Sequence, residues 1–114
     1  MDAARRLILG LAGVAEGRSY GLPSFLLNGR FLARFRDRDT VLVLQLASMF
    51  DRDFLLQRDS RAFFFTDHYR NYPAVLIRLE EISGSLLTEV ITAAWSDLAA
   101  RPPARKRAPQ KRKG

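Results

Sequence analysis

The chain has no cysteine among its 114 residues, so disulfides, thiolate metal sites and thiol nucleophiles are all excluded. That composition suits a reducing compartment, and the expected location is cytoplasmic. Histidine occurs once, at His68, which rules out any metal site built from several imidazoles. No apolar run approaches the roughly 20 residues a membrane-spanning helix requires. The short N-terminal run Leu7-Ile8-Leu9 stops at Gly10 and reads as an amphipathic helix rather than a signal peptide. Lysine is absent until Lys106, Lys111 and Lys113. The net charge of +7 is just as uneven: residues 101–114 hold seven of the nineteen cations and no acid. Residues 1–100 therefore balance twelve arginines against twelve acids.

What is present divides in the same place. Apolar residues make up 47% of the chain and are concentrated before residue 100, enough for one modest core. Residues 1–100 are expected to form a single α+β domain, and 101–114 a disordered basic tail opposed to packing by its three prolines and like charges. Spacing of Leu7, Ile8 and Leu11 predicts a helix over 3–12. A turn-rich link over 16–23 follows, then a β-meander over 24–46. Ser48 can cap a helix over 48–59, with Asp51 at its third position and Phe50 and Phe54 expected to face the core. Residues 63–66 and 74–79 have strand composition. A last helix over 86–99 carries Leu87, Val90, Ile91, Ala94 and Leu98 as its buried stripe, capped by Ser83 or Ser85. This order predicts about five antiparallel strands with helices on one face, a two-layer sandwich.

Asn28-Gly29 is a strong hairpin signal, because a type I′ turn needs positive φ at both central residues. Regular pairing about that turn sets Leu27 opposite Arg30, Leu26 opposite Phe31 and Phe25 opposite Leu32. One face then collects Leu26, Phe31, Ala33 and Phe35, continued by Leu42, Leu44 and Leu46, and is the expected core face. The other collects Phe25, Leu27, Arg30, Leu32, Arg34, Arg36, Val41, Val43 and Gln45. In the strand over 74–79, Val75, Ile77 and Leu79 share one side, and Leu76 and Arg78 the other.

Several segments resemble a known family. They are Gly13-Val14-Ala15-Glu16-Gly17, Ser19-Tyr20-Gly21-Leu22-Pro23-Ser24-Phe25, Gly29-Arg30-Phe31-Leu32-Ala33, the run from Phe64 through Thr66-Asp67-His68-Tyr69-Arg70-Asn71-Tyr72-Pro73 to Leu79, and Ala94-Trp95. Together, over residues 3–99, they look like the MmcQ/YjbR-like proteins, small bacterial domains with a CyaY (frataxin)-like fold. The resemblance implies an antiparallel sheet with helices on one side. It also implies a DNA-binding label, with hairpin wings that would place Arg30, Arg34 and Arg36 on the nucleic acid. It brings no catalytic residue set.

Candidate chemistry is sparse. His68 could serve as a base or pH switch, but Asp67 next to it points away on an extended segment. A histidine bonded to backbone at a strand end is the plainer reading. Asp37 with Asp39, and Asp51 with Asp53, suit turn and cap duties better than metal binding. No metal and no cofactor is expected. Arg30, Arg34, Arg36 and Arg78 should share one sheet face with aromatic and aliphatic neighbours, a pattern that can hold phosphates and stack bases. In the tail, Arg105, Lys106, Arg107, Lys111, Arg112 and Lys113 would attract DNA or RNA without reading sequence. The expected function is therefore non-catalytic nucleic-acid binding, as a monomer or weak homodimer. The alternative is a protein- or small-ligand-binding module using the outer sheet face, with the tail only a solubilising extension.

Overall fold

The computed structural model describes residues 2–19 and 21–101, apart from the side chain of Asp2. The cations at 105–107 and 111–113, and the disorder expected of the tail from 102 onward, lie outside these residues. Among them the order is helix α1 (Asp2–Leu9), strands β1 (Val14–Ser19), β2 (Leu22–Leu27), β3 (Arg30–Arg36) and β4 (Val41–Gln45), helix α2 (Met49–Arg58), strand β5 (Phe63–Phe64), a 3₁₀ turn (Asp67–Tyr69), strand β6 (Ala74–Arg78) and helix α3 (Gly84–Ala100). All strand pairs are antiparallel, in one open sheet of order β1-β2-β3-β4-β6-β5. The three helices pack on one side of it, so the expected α+β sandwich is observed.

The main core lies between sheet and helices. Ile8 of α1, Leu55 of α2 and the predicted α3 stripe of Leu87, Val90, Ile91, Ala94 and Leu98 meet Leu32, Leu42, Leu44, Val75 and Ile77. Burial of such side chains contributes roughly 1.5–3 kcal/mol each, which is what makes the layer cohere. Helix ends are satisfied locally. Ser48 Oγ accepts from Asp51 N, and Ser83 Oγ from Leu86 N, each at 3.1 Å. Asn28 and Gly29 have φ of 51° and 86°, as the hairpin turn requires.

Three expectations need correction. First, the link over 16–23 contains an edge strand: Val14 through Ser19 pair with β2 from Leu27 to Leu22. Glu16, Gly17 and Arg18 break the apolar alternation, which hides the strand from periodicity. Charges at an edge are a common guard against further pairing.

Second, the β2–β3 hairpin is not regular. Leu27 pairs with Arg30 and Leu26 with Phe31, but Phe25 pairs with Ala33, so Leu32 is an extra residue in a β-bulge. A one-residue insertion reverses every face assignment on one side of it. Phe25, Leu27 and Leu32 are thereby buried in the main core, while Phe31 packs on the opposite face with Val41, Val43 and Leu76. Ala33, Phe35, Leu42, Leu44 and Leu46 lie in or against the core as expected.

Third, α2 turns its phenylalanines outward. Phe50 and Phe54 are 76% and 58% exposed, whereas Arg52, at 6%, and Leu55 are buried. The cause is Arg52. Its Nη1 donates to Tyr69 O at 3.1 Å and to Arg70 O at 2.9 Å, and its guanidinium carbon lies 4.2 Å from the Phe65 ring centroid. These contacts set the rotation of the helix. Phe65 accordingly leaves the strand after Phe64, so β5 is shorter than composition suggests.

On the exposed helix surface Arg58 forks onto Glu89, with bonds of 2.7 and 3.2 Å. Hydrogen bonding and then charge from Arg58 hold the Glu89 carboxyl below its ordinary range. A depressed carboxyl contributes stability above its unfolded pKa and loses it as pH falls through the folded one. Thermal melts taken from neutral into acid should therefore show less acid destabilisation in Glu89→Gln than in wild type. Equal slopes would remove the ion pair from the account.

Candidate nucleic-acid interface

The sheet face opposite the helices is partly bare. Register fixes which side chains it presents. Arg36 pairs with Val41 and Val41 with Arg78, one row across β3, β4 and β6. In the next row Arg34 pairs with Val43, Val43 with Leu76, and Leu76 with Phe64. Two strand spacings separate the Arg36 and Arg78 backbones, about 10 Å. The turn between β3 and β4 sets the first row. Asp37, Arg38 and Asp39 all have positive φ, 55° to 67°, and Thr40 closes the turn with Oγ1 donating to Asp37 O at 2.7 Å. Asp tolerates this conformation better than Arg, so strain concentrates at Arg38.

Each arginine on this face is held by a neighbour. Arg34 Nη2 donates to the Tyr69 hydroxyl at 2.9 Å. Arg78 lies 4.1 Å from the Phe64 ring centroid, and its Nη1 donates to Arg61 O at 2.9 Å. Arg36 approaches Asp37 at 3.4 Å, a loose exposed pair worth little. A guanidinium has five N–H donors, so these contacts orient the cations while leaving capacity for phosphate.

Beside Arg34 opens a groove of about 540 Å³. Its walls are Phe31 and Leu22 from the sheet and the rings of His68, Tyr69 and Tyr72 from the segment between β5 and β6; Gln45 and Ala74 also line it. The Tyr69 ring lies 4.8 Å from His68 and 6.5 Å from Tyr72, both edge-on. Arg52 holds that aromatic segment through its two carbonyl bonds. Main-chain turns do the rest: Tyr72 N donates to Tyr69 O at 3.1 Å and Leu46 N to Pro73 O at 2.7 Å.

Comparison with known proteins is thin. No family model matches the chain. No solved structure matches it either. Uncharacterized proteins of Mycobacterium bovis and Mycobacterium tuberculosis are 46% identical over 41 residues, 36% of this chain and 32% of each relative. The matched stretch is thus about a third of the relatives' length.

Of the four arginines expected together, the fold groups three. Arg34, Arg36 and Arg78 share the bare face. Arg30 does not: ahead of the bulge it lies on the helix side, and its Nη2 donates to Leu98 O at 2.7 Å and Arg101 O at 3.3 Å. It serves the C-terminus of α3, where a cation suits the exposed carbonyls. Arg101 in turn donates to Leu46 O and Ala47 O at 3.2 and 3.1 Å, so it belongs to the folded unit rather than to the tail. His68 is exposed in the 3₁₀ turn, not bonded to backbone at a strand end. Asp67 pairs instead with Arg70, at 2.7 Å.

Tyr69, Tyr72, Phe31 and Gln45 join the site only through the fold. The signal available was the aromatic density of 63–72, which does not say which rings stay at the surface. Among the described residues no group of three His, Asp or Glu side chains is placed to hold a metal. No helix among them is long and apolar enough to cross a membrane.

Proposed function

We propose that this chain is a non-catalytic nucleic-acid-binding protein that uses the bare sheet face. The observation that carries the reading is the set Arg34, Arg36 and Arg78, oriented on one face beside exposed aromatic rings, with all the helices on the other side. Phosphates would meet the guanidinium forks, and the cations at 105–107 and 111–113 would add affinity without sequence preference. The resemblance to MmcQ/YjbR-like proteins, often labelled DNA-binding, points the same way. Arg30 is not assigned to the interface, because its donors serve α3.

The test is fluorescence anisotropy on labelled nucleic acid across a salt series. The full chain is compared with a full-length variant in which the cations at 105–107 and 111–113 are glutamine. Three phosphate contacts predict a residual slope of about −2 to −3 for the variant. Within it, Arg36→Ala and Arg78→Ala should each reduce the slope by a little under ~1. Loss of all binding with the tail cations would refute the sheet-face site and leave a protein or small ligand as its partner.

A further inference from the structure

We propose that the groove beside Arg34 takes one unstacked nucleobase, so that the face selects single strands over duplex. This rests on the nucleic-acid reading above and names its substrate class. The groove volume of about 540 Å³ falls in the range of small-ligand sites. Its lining is mainly aromatic and aliphatic side chains, and aromatic rings can stack a base whatever its identity. Tyr72 is 57% exposed, a large ring given to the surface rather than to the core.

Two of the polar side chains that line it, Gln45 and Arg34, are held in place by hydrogen bonds. Gln45 Nε2 donates to Leu46 O at 3.2 Å and to Pro73 O at 3.3 Å. That commits the amide hydrogens and leaves Oε1 as an acceptor with no partner among the described residues. Arg34, oriented by Tyr69, supplies donors in the same groove. An acceptor and donors held in one groove complement the edge of an unpaired base, which carries both. In duplex DNA those edges are paired and the faces stacked, so a base must first be turned out of the helix at a free-energy cost. Arg36 lies two residues beyond Arg34 on the same strand face, about 7 Å further on, with Arg78 across from it. Phosphates flanking the seated base can reach both. The occupant is therefore a strand that supplies a base and its neighbouring phosphates together.

The experiment uses the full-length variant with glutamines at 105–107 and 111–113, so that tail electrostatics do not mask the face. Probes are a labelled oligothymidylate of about 12 nucleotides and a duplex of equal length. Expected is tighter binding of the single strand. Tyr72→Ala should weaken it roughly 5- to 100-fold with an unchanged salt slope, and Tyr72→Phe should restore it. Gln45→Leu should weaken it too, which a merely stacking surface would not require. Equal or tighter duplex binding with Tyr72→Ala silent, while Arg36→Ala still weakens binding, overturns the base site and leaves the nucleic-acid reading standing. Binding of neither probe overturns both. Displacement of the oligomer by thymidine monophosphate at equal concentration overturns the strand in favour of a free nucleotide.

Discussion

Arg52→Ala is expected to lower stability by roughly 2–4 kcal/mol, a large fraction of the stability of a marginal domain. The side chain is 6% exposed yet cationic, and its charge is compensated by two main-chain carbonyls, the Phe65 ring and Asp53 at 3.4 Å. Truncation removes the donor to Arg70 O and one of two donors to Tyr69 O, the other being Tyr72 N. A part-buried carbonyl left without its donor, here Arg70 O, is costly, and the vacated volume of the buried side chain adds a cavity. The loss should be local as well as global, because those carbonyls lie in the segment that forms the aromatic wall. Urea denaturation should show a lower midpoint at unchanged slope, and near-ultraviolet circular dichroism a changed tyrosine signal. Arg52→Lys should recover part of the stability: an ammonium can donate to both carbonyls but cannot stack flat on Phe65. An Arg52→Ala variant as stable as wild type would show that the wall is held by other contacts.

Leu32→Asn tests the bulge, and its expected cost is larger still, about 4 kcal/mol or more. Leu32 is fully buried among the helix-facing residues. Replacing it loses its apolar burial and places an amide where no partner waits. Regular pairing about Asn28-Gly29 would put Leu32 on the outer face, where asparagine costs little. Phe31→Asn is the reciprocal variant. In regular pairing Phe31 is a core residue, whereas in the fold it is half-buried on the bare face beside Val43. Its expected cost is only roughly 1–2 kcal/mol, since much of the ring already meets solvent. Equilibrium unfolding of the pair therefore discriminates the two registers. Leu32→Asn milder than Phe31→Asn would restore the regular hairpin and return Arg30 to the arginine face.

Features whose causes lie within a few residues are legible from the chain alone. Asn28-Gly29 makes its turn because its own backbone energetics favour positive φ. Ser48 and Ser83 cap because each lies three residues from an unpaired amide. The stripe from Leu87 to Leu98 is buried because helical geometry alone lines those residues up. Arg34 and Arg36 share a face because strand alternation is local and no bulge separates them.

The remaining features depend on contacts between segments far apart in the chain. The bulge at Leu32 exists because Phe25, Leu27 and Leu32 must all reach one core while Ala33 and Phe35 stay in it, a demand set by helices remote in sequence. The outward turn of Phe50 and Phe54 follows from carbonyls at Tyr69 and Arg70, which a helical pattern read alone does not contain. Arg30 left the arginine stripe because the C-terminus of α3, some seventy residues on, lies beside it. The candidate groove likewise gathers Leu22, Phe31, Gln45 and Tyr72 from four separate segments. Local propensity acts through neighbours on the chain. Register, helix rotation and the grouping of a site are settled by which residues can be buried together, and that is fixed only when the layers close.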